Sequence, residues 1–458
     1  MKQSFDAIVV GAGQAGPSLA VRLATAGQTV ALVERHLFGG TCVNTGCTPT
    51  KAMVASAHAA HLARRGQDFG FTTGDIRIDL RAVKARKDAI VQRSRSGVEK
   101  WLRGTKNCTV VQGHAAFESP HTLRVGDDLL EADQIFLNVG ARPLIPDMPG
   151  IGSVPFLTST SILELEELPP HLAVVGGGYV GCEFAQMFRR FGSEVTILDK
   201  NPRLTPREDE DASAVIHDVF KSEGIDIAVD ATCIHLEQGP GRIHVGVDCD
   251  ERAPHIEASH VLLAIGRTPN TNDLNLAAAG IEADAHGYIP VDDQLRTNVH
   301  HVFALGDCNG RAAFTHTAYN DYEIVADNLL NGAARRLSDR IPIYALFTDP
   351  PLAHVGLHEH EVRDRGIRAL IGKRPMTRVS RAIEKGETFG FIKVLVDEHT
   401  QHIVGATLIG TGADEAIHCI ATCMYARQPA SLLTHSVHIH PTVAELIPTV
   451  LGGLQPLT

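Results

Sequence analysis

No apolar run in the 458 residues is long enough to cross a bilayer, and the opening residues MKQSFDAIVVGAG pass straight into a strand and a glycine turn without a signal-peptide pattern. An excess of positive charge is also missing. With 42 Lys and Arg against 53 Asp and Glu, the net charge of −11 argues against nucleic acid and anionic membrane as partners. Cysteines are few, odd in number at 9 and irregular in spacing, so they do not read as the framework of a secreted scaffold. These absences leave a reducing cytoplasm as the expected compartment and a small molecule as the expected partner. What is present is ordinary in bulk. Hydrophobic residues at 44% and charged residues at 21% describe a globular chain, and its length suggests about three domains.

Two stretches share one pattern. Residues 5–34 read FDAIVVGAGQAGPSLAVRLATAGQTVALVE, and residues 171–199 read HLAVVGGGYVGCEFAQMFRRFGSEVTILD. Each is an apolar strand, a G-x-G-x-x-G turn, an amphipathic helix, a glycine break and a second apolar strand ending in an acid. The acid follows the first glycine at the same interval in both, Glu34 after Gly11 and Asp199 after Gly176. Gly11 and Gly176 make the tight turn, Gly13 and Gly178 let backbone approach a pyrophosphate, and Gly16 and Gly181 let helix and strand pack closely. Two complete fingerprints imply two dinucleotides. The carboxylate of Asp199 suits a ribose 2′-hydroxyl and repels a 2′-phosphate, which favours NADH. Lys200, Arg203 and Arg207 stand near enough to keep NADPH possible.

Between the two lies GGTCVNTGCTPTK, with Cys42 and Cys47 on one short turn where they can close into a disulfide. Pro49 favours a helix start just after Cys47. The positive end of that helix, with Lys51 one turn on, stabilises a thiolate at Cys47. A purely structural bridge is rare in a reducing compartment, so the pair reads as redox-active.

GGTCVNTGCTPTK resembles the active-site signature of the class I pyridine nucleotide-disulfide oxidoreductases, the family of glutathione reductase, dihydrolipoyl dehydrogenase and mercuric reductase. The resemblance implies that Cys47 is the thiolate in charge-transfer contact with FAD and Cys42 the thiol that exchanges with substrate. It assigns FAD to the first fingerprint, with Glu34 on the adenosine ribose, and NADH to the second. Gly40, Thr41, Lys51, Gly113, Gly140 and Gly266 are expected to line the cofactors as well. TNVHHVFALGD (297–307) resembles the second flavin motif, which puts Asp307 on the ribityl chain. HSVHIHPTVAE (435–445) resembles the H-x-H-P-x-x-x-E motif. It implies that His440, before Pro441, is the acid–base group, oriented by Glu445 and supplied by the partner subunit of a homodimer. Glu183 matches a glutamate that pairs with Lys51 near the flavin.

The implied fold is α/β, with two doubly wound dinucleotide-binding, Rossmann-like domains and a C-terminal α+β dimerisation domain. Residues 1–155 form the first part of the FAD domain, 156–275 the NAD(P) domain, 276–340 the second part of the FAD domain, and 341–458 the dimerisation domain. Within the family, PTK after the dithiol, PRED (206–209), the DY-x-IV pattern at Asp321–Val325 and TDPPLAHVG (348–356) resemble the mercuric-reductase-like group that includes RclA. The chain lacks the C-terminal cysteine pair of mercuric reductases. The group resemblance implies an acceptor such as hypothiocyanous acid or copper(II). A dihydrolipoyl dehydrogenase is the alternative, and a non-catalytic flavin redox sensor a remote one. Cys419 and Cys423, with His418 beside them, are expected to be small core residues rather than metal ligands. Cys108, Cys182, Cys233, Cys249 and Cys308 show no partner, and HVGLHEHE (354–361) reads as exposed surface.

Overall fold

The strands Lys2–Val10, Val30–Glu34 and Asp128–Leu137 are rich in Val, Ile, Leu and Ala, and their last three residues are buried on both faces, as parallel strands under helices must be. The computed structural model describes residues 1–231, 233–247 and 255–457. There these strands form the middle of a sheet ordered Cys108–Gln112, Val30–Glu34, Lys2–Val10, Asp128–Leu137, Thr122–Val125, Ala115–Ser119. Val302–Ala304 also pairs in parallel with Asp128–Leu137. The register aligns the strand ends. Val10 lies opposite Leu137, and Leu137 opposite Ala304. Three strands therefore end level, and the residues just beyond them, Gly11, Asn138 and the segment leading to Asp307, meet at the carboxyl edge, where parallel sheets take their ligands.

A second parallel sheet repeats the arrangement in the order Asp226–Ala228, Glu194–Leu198, His171–Val175, His260–Leu263, Leu157–Thr158. Val175 lies opposite both Leu198 and Leu263, so Gly176, Asp199 and Ala264 share one edge. An antiparallel layer of His235–Gly239, Arg242–Gly246 and Ile256–Ala258 covers one face, burying Leu236, Ile243, Val245 and Ala258 against Ala173, Val175 and Leu263. The chain passes between the two sheets through a pair of antiparallel strands, Ala141–Pro143 and Arg267–Pro269.

The third sheet is antiparallel, ordered Ile343–Leu346, Leu352–Gly356, Ile403–Ile409, Phe391–Asp397, Ala369–Pro375, Gln455–Pro456. The helix Ala413–Tyr425 packs Ile417, Ile420 and Cys423 into its core, and the Cys423 and Cys419 thiols donate to backbone carbonyls of Gln428 and Ala416. Lys393, on the strand Phe391–Asp397, is 1% exposed. Its ammonium reaches Asp209 at 2.9 Å, Asp211 at 2.8 Å and Glu359 at 2.6 Å, tying this sheet to the nucleotide unit. A desolvated ammonium is tolerated there because three carboxylates neutralise it.

The expectation that residues 354–361 are exposed fails at its two chief histidines. His354 and His358 are buried, and their rings stack at 3.7 Å with 10° between planes. His354 lies on a strand paired on both sides, and the segment carrying Glu208 and Asp209 closes over it. Burial pushes the His354 imidazole down to about 3, so it is neutral. Burial opposes charge on His358 too, but Asp209 and Glu208 outweigh it and raise its pKa.

Candidate active site

The two glycine turns are built alike. Gly11 and Gly176 adopt φ of 104° and 112°, and a Cβ on either would overlap a carbonyl of the neighbouring strand, at Asn138 and Ala264. A Cβ on Gly16 or Gly181 would overlap the carbonyl of Gly11 or Gly176, so each helix lies directly on its turn. The acids are tethered in the same way. Glu34 accepts from Ala12 N and His36 N, both at 2.7 Å. Asp199 accepts from Gly177 N at 2.5 Å and Asn201 N at 2.7 Å. Each carboxylate is aimed past the strand ends with lone pairs to spare for a ribose. A Cβ at Gly178 would meet open space, room that a pyrophosphate can use, whereas one at Gly13 would press on the Asn138 amide. Arg203 is turned away, its guanidinium donating to the backbone of Pro206 and Glu208.

Gly40 bears on the first turn so closely that a Cβ there would strike Gly13 Cα. The dithiol segment is thereby held against the nucleotide loop. Cys42 lies on the short helix Gly40–Asn44, closed by the bond from Thr45 N to Thr41 O at 2.9 Å. Cys47 opens the helix Cys47–Arg64, so the expected helix start holds. Both are thiols. Cys233 is found in a disulfide, a pairing that nothing in the sequence made visible, and Cys249 lies outside the described residues.

The Cys42 thiol donates to Cys47, and this bond, with Thr315 and Lys51, lowers Cys47 to about 6 despite burial. The same interaction and burial push Cys42 far up. The pair is thus one thiolate and one thiol at neutral pH, the thiolate on Cys47. Lys51, one turn along the helix, pairs with Glu183 at 2.6 Å, and Glu183 also accepts from Phe347 N at 2.9 Å.

Gly113 N donates to Glu34 O at 2.9 Å, and the carbonyls of Gly140 and Gly266 accept from Asn270 N and Leu144 N beside the connecting strands. Burial raises the Asp307 carboxyl against Arg267, whose Nε lies 3.6 Å away. A half-buried carboxylate short of donors fits the hydroxyls of a ribityl chain, so the residues present suit FAD. Asp321, buried, accepts from Gly306 N at 2.8 Å and fixes the turn that carries Asp307.

At the other end of the chain, His440 Nδ1 lies 2.9 Å from Glu445 Oε2. His440 is 73% exposed, and its neighbours Val437 and Ile439 are 99% and 79% exposed. Within one chain this segment faces outward, away from its own packing. His438 Nε2 sits 3.2 Å from the Leu433 carbonyl.

The sequence profile of the pyridine nucleotide-disulphide oxidoreductases matches residues 5–321, and that of the dimerisation domain of the same family matches 343–451. The chain belongs to this family. It is 36% identical over 449 residues to the Escherichia coli protein named "Probable pyridine nucleotide-disulfide oxidoreductase RclA", covering 96% of this chain and 97% of that one. The dihydrolipoyl dehydrogenase of Chlamydia pneumoniae is 34% identical over 450 residues, with 97% and 96% covered. The mercuric reductase of Staphylococcus aureus is 32% identical over 441 residues, with 96% and 81% covered. The solved copper(II) complex of the HOCl-induced flavoprotein disulfide reductase RclA from E. coli superposes with a TM-score of 0.90 at 34% identity, covering 98% of this chain and 99% of that one. This oxidoreductase is therefore a flavoprotein working with FAD and NAD(P)H, and it carries the family's dimerisation domain.

Several residues of the site carried no signal of their own in the sequence. Thr315 places its hydroxyl 3.4 Å from the Cys47 sulfur. Phe314, beside it, stacks on Tyr344 with centroids 5.5 Å apart. Tyr344 donates to Glu208 at 2.8 Å, and Glu208 also accepts from Tyr179, the first residue of the helix after the second glycine turn, at 2.5 Å. A line of rings and one buried carboxylate so joins the nucleotide turn to the dithiol. These partners are far apart in sequence, which is why no local motif announces them. No helix among the described residues is long and apolar enough to cross a membrane.

Proposed function

We propose that this oxidoreductase passes electrons from NADH, through FAD, to the Cys42–Cys47 pair and on to a small oxidant or metal ion, hypothiocyanous acid or copper(II) being the foremost substrates. The observation that carries the reading is the split pair of thiols. Cys47 is the thiolate, beside Thr315 and the Lys51–Glu183 ion pair, and Cys42 keeps its proton. FAD, when bound, supplies the two-electron relay between nicotinamide and the dithiol. Gly11, Gly13, Gly16, Glu34, Gly40, Thr41, Gly113, Gly140 and Asp307 hold it. Gly176, Gly178, Gly181, Asp199 and Gly266 hold NADH, Asp199 selecting the ribose hydroxyl over a phosphate.

Oxidation of the dithiol by acceptor re-forms the Cys42–Cys47 bond and releases two electrons, taken by one two-electron oxidant or by two copper(II) ions. Cys42 meets the acceptor, and His440, held by Glu445, exchanges the proton. His440 acts across a homodimer, because its segment leaves Val437 and Ile439 bare in the single chain. The dihydrolipoyl dehydrogenase reading rests on the intact His440–Glu445 pair and on the relative of that name.

NADH oxidation measured with lipoamide, glutathione disulfide, hypothiocyanous acid, copper(II) and mercury(II) decides. Turnover confined to lipoamide would transfer the chain to the second reading. Absence of turnover with all five would leave a redox sensor.

A further inference from the structure

The antiparallel layer on the nucleotide unit has two unlike faces. Leu236, Ile243, Val245 and Ala258 point into the core. Alternation sends His244 to the other side, directly opposite Glu257 across the strands Arg242–Gly246 and Ile256–Ala258. His255, two residues before Glu257, shares that side. Gly246 adds no side chain there, and the His235 ring lies over it. The His255 ring meets His244 edge-on, with centroids 4.7 Å apart and 84° between planes. One nitrogen of each ring and one carboxylate oxygen of Glu257 lie within 4.8 Å of one another. His244 Nδ1 is buried and has no hydrogen-bond partner. Arg242 pairs with Glu257 Oε2, which leaves Oε1 to accept elsewhere.

We infer that His244, His255 and Glu257 form a binding site for a borderline divalent transition-metal ion, copper(II) or zinc(II). Two imidazoles and a carboxylate are the donor set such ions prefer, and three protein ligands leave a fourth place for water. Ligand atoms at about 2.0–2.1 Å from a tetrahedral ion stand roughly 3.3 Å apart, so rotation of the exposed His255 and Glu257 side chains closes the site. The edge-on rings allow their lone pairs to converge. The other histidine cluster, Glu208 with His354 and His358, fails this test, because its rings are parallel and their in-plane lone pairs run side by side. The ion is held on the solvent face of the nucleotide unit, apart from the dithiol.

The test uses the FAD-loaded Cys42→Ser/Cys47→Ser protein, so that the dithiol holds no metal. Calorimetric titration with zinc chloride, and electron paramagnetic resonance with copper sulfate, are expected to show one ion per chain, with nitrogen hyperfine structure in the copper spectrum. His244→Ala and His255→Ala are each expected to weaken binding at least about tenfold, with flavin content unchanged. His255 is exposed at a strand end, so its variant carries the test should His244→Ala fail to load flavin. The parent binding no ion, or both histidine variants binding as the parent does, overturns the assignment. Loss of the ion in His358→Ala instead does the same.

Discussion

Removing the Cys42 thiol should move the titration of Cys47, and the size of the move separates two causes. The Cys42 hydrogen bond is the largest influence lowering Cys47 from 9.0 to about 6, ahead of Thr315 and Lys51. With a pKa near 6, roughly nine-tenths of Cys47 is thiolate at about pH 7, and near 9 only about one-hundredth is. The sign follows from which form the bond favours. A donor to sulfur stabilises the anion, so the thiolate persists above the midpoint and is lost as pH falls through it. Cys42→Ala deletes the donor and should raise the midpoint by at least about one unit, cutting the thiolate fraction sharply at neutral pH. Cys42→Ser keeps a hydroxyl in the same place and should stay closer to the parent. The reduced FAD-loaded proteins would be followed across pH by ultraviolet thiolate absorbance and by the long-wavelength band expected from a thiolate beside flavin. Cys47→Ser serves as the blank. Equal midpoints for the alanine and serine variants would refute the argument that the Cys42 bond leads. Preferential alkylation of Cys42 at low pH in the parent would invert the two roles.

His440→Ala should lose roughly 10²–10⁴-fold in acceptor turnover while flavin reduction by NADH, measured by stopped flow, is retained. Mixed dimers of Cys42→Ser and His440→Ala chains should regain activity at one site, and subunit exchange without any recovery would refute the cross-subunit placement. NADH should be favoured over NADPH by at least about tenfold in kcat/KM, and Asp199→Ala should shrink that ratio. Lys393→Met leaves the buried Asp209, and the half-buried Asp211 and Glu359, without the cation they share and should cost about 3–5 kcal/mol, read as a lowered thermal midpoint in the FAD-loaded protein; an unchanged midpoint would show the cluster to be dispensable.

The parts of this molecule that could be read from its letters are those where backbone geometry permits few residues. Gly11, Gly16, Gly176 and Gly181 stand where any side chain would overlap a carbonyl, and Glu34 and Asp199 sit at the strand ends facing them. The dithiol is legible for a similar reason, since two cysteines on one turn beside a helix start allow little else. Burial of His354 and His358 was not legible. Their polar neighbourhood looks like surface until Asp209, from a segment roughly 150 residues away, closes over it. Thr315 and Tyr344 were missed because each acts through contacts to residues distant in sequence. The Cys233 disulfide likewise lacked any local spacing signal.

The paired strands Ala141–Pro143 and Arg267–Pro269 have a consequence for how such a chain can be taken apart. Pro143 lies directly opposite Arg267, so everything between them begins and ends at one point in space. Facing Cα atoms in an antiparallel pair stand about 4.5–5.5 Å apart, a gap that a two-residue turn spans. The flavin-side sheet does not depend on the intervening residues to join its own strands. A chain in which residues 144–266 are replaced by Asn-Gly would join Ala141–Pro143 to Arg267–Pro269 as a plain hairpin. Such a chain would be a flavin carrier stripped of its nicotinamide input, able to receive electrons only from outside.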